Sequence, residues 1–194
     1  MLQLAQPALG ETANWFRPSL LGQYDPQLAL LPYWLGAGFM QWAPQGWEDV
    51  FARLPFVGML GLTLAATWYA VYALARHPAA QPVAFAFGGE AKPSDYARAL
   101  ADGSLLALLA CLGLARLAHE ATPALSQLCF ASLIFVGLST LPRWRVKSGL
   151  AVGLGMLGLT LSGAPSVALW LGVGGSLIRA VAPVDPAQGR MRML

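Results

Sequence analysis

The chain has 194 residues, of which 57% are hydrophobic and 11% are charged, against about 25% charged in an ordinary soluble domain. With a net charge of +3 and scattered basic residues, this excludes a disordered chain and a nucleic-acid-binding domain, and two cysteines are too few for a disulfide scaffold. A mean hydropathy of +0.56 makes a bilayer the natural solvent for so much apolar surface.

In chain order, residues 1–53 stand apart through Trp15, Trp34, Trp42 and Trp47, with Tyr24 and Tyr33. Within them Leu28 to Trp42 is apolar but only 15 residues long, which predicts an interfacial helix rather than a span. Gln45 to Asp49 reads as a polar turn, with Glu48 and Asp49 suited to a helix amino terminus. Leu54 to Ala75 is a charge-free run of 22 residues bracketed by Arg53 and Arg76, long enough to cross a bilayer. Trp68, Tyr69 and Tyr72 lie toward one end as interfacial aromatics, and Pro55 is expected in the first helical turn.

Residues 77–98, with Pro78, Pro82, Gly88-Gly89 and Pro93, read as a flexible loop, and the glycine pair fits no phosphate-binding pattern. Ala99 to Ala118 is a second expected span, with Asp102 and Arg116 near its ends where they reach headgroups. A tight hairpin, His119 to Pro123, leads to a third span at Ala121 to Pro142. Cys111 and Cys129, without a partner at ligand spacing, read as small buried hydrophobes.

Ser148 to Ile178 is a charge-free run of 31 residues. One helix of that length would measure about 46 Å against a hydrocarbon core of about 30 Å. The sequence Ser162-Gly163-Ala164-Pro165 breaks it into two short helices, and Gly149, Gly153, Gly155 and Gly158 suit close helix packing. The predicted fold is therefore all-α: a polytopic membrane bundle over 54–182, an outward-facing loop with interfacial helix over 1–53, and a tail over 183–194.

Arg76, Lys92 and Arg98 follow the first expected span, and Arg143, Arg145 and Lys147 follow the third. Each group follows an odd number of crossings from residues 1–53, one and three, so both lie on one side, which the positive-inside rule makes cytoplasmic. Arg179, Arg190 and Arg192 favour a cytoplasmic carboxy terminus. Residues 1–53 and the His119-Glu120 hairpin then face the periplasm of a bacterial inner membrane. An exported head of this kind needs a signal or an earlier span, so the opening MLQLAQPALGETANW leads us to expect an amino-terminal extension.

Three stretches of the outward segment carry a resemblance. They are Trp15, Pro18, Leu21 and Gly22; then Tyr24, Tyr33, Trp34 and Leu35; then Ala52-Arg53-Leu54-Pro55. Together they resemble the first outer loop of the family-39-like glycosyltransferases, the GT-C group that includes the aminoarabinose transferases of lipid A and the protein O-mannosyltransferases. HEATPALSQL is similar to that family's outer hairpin, and GLAVGLGMLGLTLSGAP to its glycine-rich helix ending in Lys-Gly-Pro. The chain departs from the pattern in three places. The lysine before the family's Pro-Pro pair is absent, with Gln27 nearby; Ser162-Gly163 stands where the family has Lys-Gly; and the family's catalytic acid would lie upstream of Met1.

The resemblance implies a sugar donor on a polyprenyl phosphate, a carboxylate acting as general base on the acceptor hydroxyl, and cations balancing the leaving phosphate. Membrane lipids are the other implied partner. The substrate-binding candidates are Tyr24, Asp25, Arg53, His119 and Glu120. Arg53 can balance a phosphate, or snorkel as an interfacial arginine. Asp25, before Pro26, can meet the acceptor or phosphate, or simply form a turn. His119-Glu120 can relay a proton or form a weak divalent-metal site, or be a solvated hairpin. No cofactor motif is present. Two alternatives stay open: a non-catalytic polytopic protein or decayed relative, and a transporter using the break at Gly163 to Pro165.

Overall fold

The computed structural model describes residues 16, 19–20, 23–24, 29–82, 91–111, 122–141 and 144–181. Among these residues it is all-α, with six helices; a two-residue antiparallel pairing sets Ser19 opposite Tyr24 and Leu20 opposite Gln23. The helices are α1 (Leu30–Gln41), α2 (Glu48–Ala75), α3 (Pro93–Ala110), α4 (Pro123–Thr140), α5 (Arg145–Leu161) and α6 (Pro165–Val181).

The short apolar helix expected over 28–42 is present as α1. Its Pro32, Gly36, Ala37 and Met40 recur at helical spacing and are buried. A turn follows in which Trp47 N–H bonds Pro44 O at 3.0 Å, with Gly46 at φ 85° in the third position, where glycine is favoured.

Helix α2 begins at Glu48, earlier than the charge-free run. Glu48 and Asp49 occupy its first turn, where the helix dipole favours acids. Pro55 is consequently inside the helix and not in its first turn. It removes one backbone donor, and α2 continues through it. The buried side of α2 is mostly small, with Ala52, Phe56, Thr63, Ala66, Ala70 and Ala75. Thr63 and Thr67 return their hydroxyls to the carbonyls of Met59 and Thr63, at 2.7 and 2.8 Å.

Helix α3 runs over Pro93–Ala110, starting six residues before the expected span and ending before Cys111; residues 112–118 of that span lie outside the described residues. Pro93 starts it, since a missing amide is harmless there, and residues 93–98 are therefore helix and not loop. Asp102 falls at mid-helix instead of near an end, and Cys111 is exposed rather than buried. Helix α4 matches the third expected span within a few residues, also starts at a proline, and buries Cys129.

The expected break is where the sequence puts it. Ser162 ends α5, Gly163 takes φ 83°, Gly163 N–H bonds Thr160 O at 3.1 Å and Ala164 N–H bonds Leu159 O at 3.0 Å. This is the Schellman pattern that lets glycine close a helix, and Pro165 opens α6 immediately after. Helix α6 contains one π-helical turn at Trp170–Gly174.

Two apolar clusters fix the packing. Phe56 of α2 and Leu125 of α4 pack with Leu60, Leu64, Leu108 and Leu128. Ile134, Leu159 and Ala168 join α4, α5 and α6 with Phe130, Leu138 and Met156. Helix α4 thus sits between α2 and α5, while α1 and α3 pack on α2. Close approach along α4 and α5 depends on missing side chains. A Cβ on Gly137 would lie 2.7 Å from Val152 Cγ2, one on Gly155 would lie 2.6 Å from Ile134 Cγ1, and one on Gly158 would enter the Phe130 ring. Gly149 and Gly153, expected to pack likewise, have nothing within 4 Å.

Two helices, α2 and α4, are long and apolar enough to cross a membrane; the apolar windows that qualify them are 22% and 28% buried within the chain. Helix α3 carries Asp95, Arg98 and Asp102, and α5 and α6 are shorter. Large apolar side chains face outward on these helices too, among them Leu150, Leu154 and Leu157 of α5 and Trp170, Leu177 and Ile178 of α6.

Candidate functional site

The contacts give the helices a direction. Phe56 meets Leu125, so α2 and α4 start at the same end. Leu108 joins that cluster, so α3 runs back toward it. Gly137 meets Val152 while Gly158 meets Phe130, so α5 is antiparallel to α4. One end of the bundle therefore holds the start of α2 with Arg53, the start of α4, and the α5–α6 break. The other holds Arg76, Lys92, Arg98, Arg145, Lys147 and Arg179, with Arg53 the only lysine or arginine at the first end among the described residues. At the basic end the Arg76 guanidinium lies 5.8 Å from the Tyr72 ring centre, and Lys147 Nζ lies 4.7 Å from that of Trp144.

Arg53 is exposed on the second turn of α2, next to buried Ala52. Asp49 lies one turn before it, yet no ion pair joins them. Tyr24 has only its backbone placed, opposite Ser19. Asp25, His119 and Glu120 lie outside the described residues, as do Arg17, Gln27 and Arg143. Of the five candidates, the structure therefore describes one side chain.

The Arg53 end has a polar seam of its own. Gln127 Nε2 donates to Ser162 O at 2.8 Å across α4 and α5. Ser162 is fully buried and its Oγ has no hydrogen-bond partner; buried Thr122 Oγ1, before α4, also has none. Farther along the same helix pair, Thr140 and Ser148 share a hydrogen bond at 2.8 Å. Among the described residues no three His, Cys, Asp or Glu side chains group as a metal site.

One polar pairing was not foreseen from sequence. Trp68 Nε1 on α2 donates to Asp102 Oδ1 on α3 at 2.8 Å. Trp68 stacks on Tyr72 with ring centres 5.1 Å apart and planes at 8°, and Tyr69 lies against it at 6.5 Å. The partners are 34 residues apart, so no local spacing announces the contact. An acid inside a mostly apolar helix is the one signal that could have found it. Comparison with protein families, with curated proteins and with solved structures finds no match to the chain.

Proposed function

We propose that the chain is an integral helix bundle of a bacterial inner membrane, of GT-C type, with residues 1–53 on the periplasmic side. It serves transfer of a sugar from a polyprenyl-phosphate donor to a lipid, glycan or protein acceptor at the outer face. The observation that carries this reading is Arg53. It lies in the best-matched motif, Ala52-Arg53-Leu54-Pro55, on an apolar helix whose opposite end gathers the cations. Cations gather on the cytoplasmic side of membrane proteins, so the motif falls on the outer side. There an exposed guanidinium meets the charge developing on a leaving phosphate, and bidentate hydrogen bonds suit it to that group. Tyr24, Asp25, His119 and Glu120 fall on the same side in this topology; the general base is left unassigned.

The test is transfer of radiolabelled sugar from polyprenyl phosphate in membrane vesicles of cells with and without the native gene. Transfer is expected to vanish with the gene, and to fall about 100-fold or more with Arg53→Ala. An unchanged set of labelled products in the deletion strain overturns the reading. A non-catalytic membrane scaffold is the second reading, favoured by Ser162 standing where the resembling family has lysine.

A further inference from the structure

The geometry points to a second site, independent of the transferase reading. Asp102 and Trp68 form a binding site for a hydrophobic organic cation, such as a substituted ammonium or phosphonium, where α3 leans on α2.

The carboxylate is held in place. Its Oδ1 accepts the indole N–H of Trp68 at 2.8 Å. Residues 68 to 75 rise about 10 Å along α2, so Asp102 sits that far in from the basic end of a helix suited to the bilayer. It is nevertheless exposed, and no cation pairs with it among the described residues. Arg98 lies one turn earlier on α3 without forming an ion pair, and Arg76 is drawn to Tyr72 two turns beyond Trp68. A carboxylate at that depth that holds an indole N–H but no counter-charge is costly, and such residues mark binding sites.

The surroundings select the cation. A metal ion needs several oxygen ligands, and no cluster of acids accompanies Asp102 among the described residues. A lysine ammonium from another helix is strongly hydrated and gains little here. Leu106 and Leu109, 68% and 55% exposed, lie one and two turns along the same face of α3 and supply apolar walls. Trp68, Tyr69 and Tyr72 supply aromatic rings, and an indole whose N–H is given to a carboxylate is a richer π-donor toward a cation. A cation clothed in apolar groups satisfies the carboxylate, the rings and the leucines together.

The test is equilibrium dialysis of radiolabelled tetraphenylphosphonium against the full chain in phosphatidylcholine nanodiscs. A single saturable site per chain is expected. Asp102→Asn keeps an oxygen for the indole N–H and removes only the charge; it should weaken binding about tenfold or more, a factor worth about 1.4 kcal/mol. Trp68→Phe, which should weaken binding about three- to tenfold, carries the test if Asp102→Asn does not fold. Asp95→Asn, on the same helix, should leave binding unchanged. Uptake equal to that of empty nanodiscs, full binding by Asp102→Asn, or equal loss in Asp95→Asn overturns the proposal. The last outcome would mean a general attraction to surface charge.

Discussion

Gly149 and Gly158 lie on one helix and look alike in the sequence, but they do different work. Gly158 lets the Phe130 ring rest on the α5 backbone, and Gly155 does the same for Ile134. Gly149 and Gly153 face open space. Gly158→Ala is therefore expected to destabilise the bundle by about 1–3 kcal/mol, because the ring cannot keep its place. Gly149→Ala is expected to leave stability unchanged or raise it by up to about 1 kcal/mol through helix propensity. Thermal unfolding in detergent compares them, and equal losses would contradict the packing. The glycine spacing announced a close helix contact without saying which glycines make it. That depends on α4, where Gly137 gives the matching approach to Val152. Asp102 was misplaced for a similar reason: hydropathy alone put the helix start at Ala99, whereas Pro93 fixes it earlier and moves the acid to mid-helix.

At the scale of elements, apolar runs located every helix from α1 to α6, and local chemistry set their ends. Glu48 and Asp49 close a polar turn in the sequence and suit a helix amino terminus, and α2 does begin with them in its first turn, where acids are welcome. The break after α5 was fully legible, because Gly163 and Pro165 have backbone requirements that no packing overrides. Gly163→Val should cost about 1–2 kcal/mol at a left-handed position, and Gly163→Asn clearly less, since asparagine tolerates that region. Matching losses in the two variants would mean that the Schellman closure does not hold the α5–α6 corner. Pro55 is the opposite case. Proline inside a helix costs about 3 kcal/mol, so Pro55→Ala should raise the melting temperature; an unchanged or lower value would mean that the Pro55 ring contributes to the packing around Phe56. The candidate site was far less legible than the helices. Its residues come from separate stretches, and of those named only Arg53 has a described side chain.

At the scale of the molecule, the central feature is charge asymmetry. Helices α2 to α6 alternate in direction, so cations far apart in sequence, from Arg76 to Arg179, meet at one end. The sequence allowed this grouping to be inferred from an odd number of crossings, and the packing of Phe56, Leu108 and Leu125 gives the same grouping from contacts. The transferase reading and the cation site both require α2 to lie across the bilayer. Cysteine labelling tests that most directly. In a chain carrying Cys111→Ser and Cys129→Ala, Gln45→Cys and Ala80→Cys each place one exposed thiol beyond an end of α2. With a membrane-impermeant maleimide on spheroplasts, Gln45→Cys should label at once and Ala80→Cys only after permeabilisation. Labelling of both from the same side would show that α2 does not cross, and would contradict the topology on which the function rests.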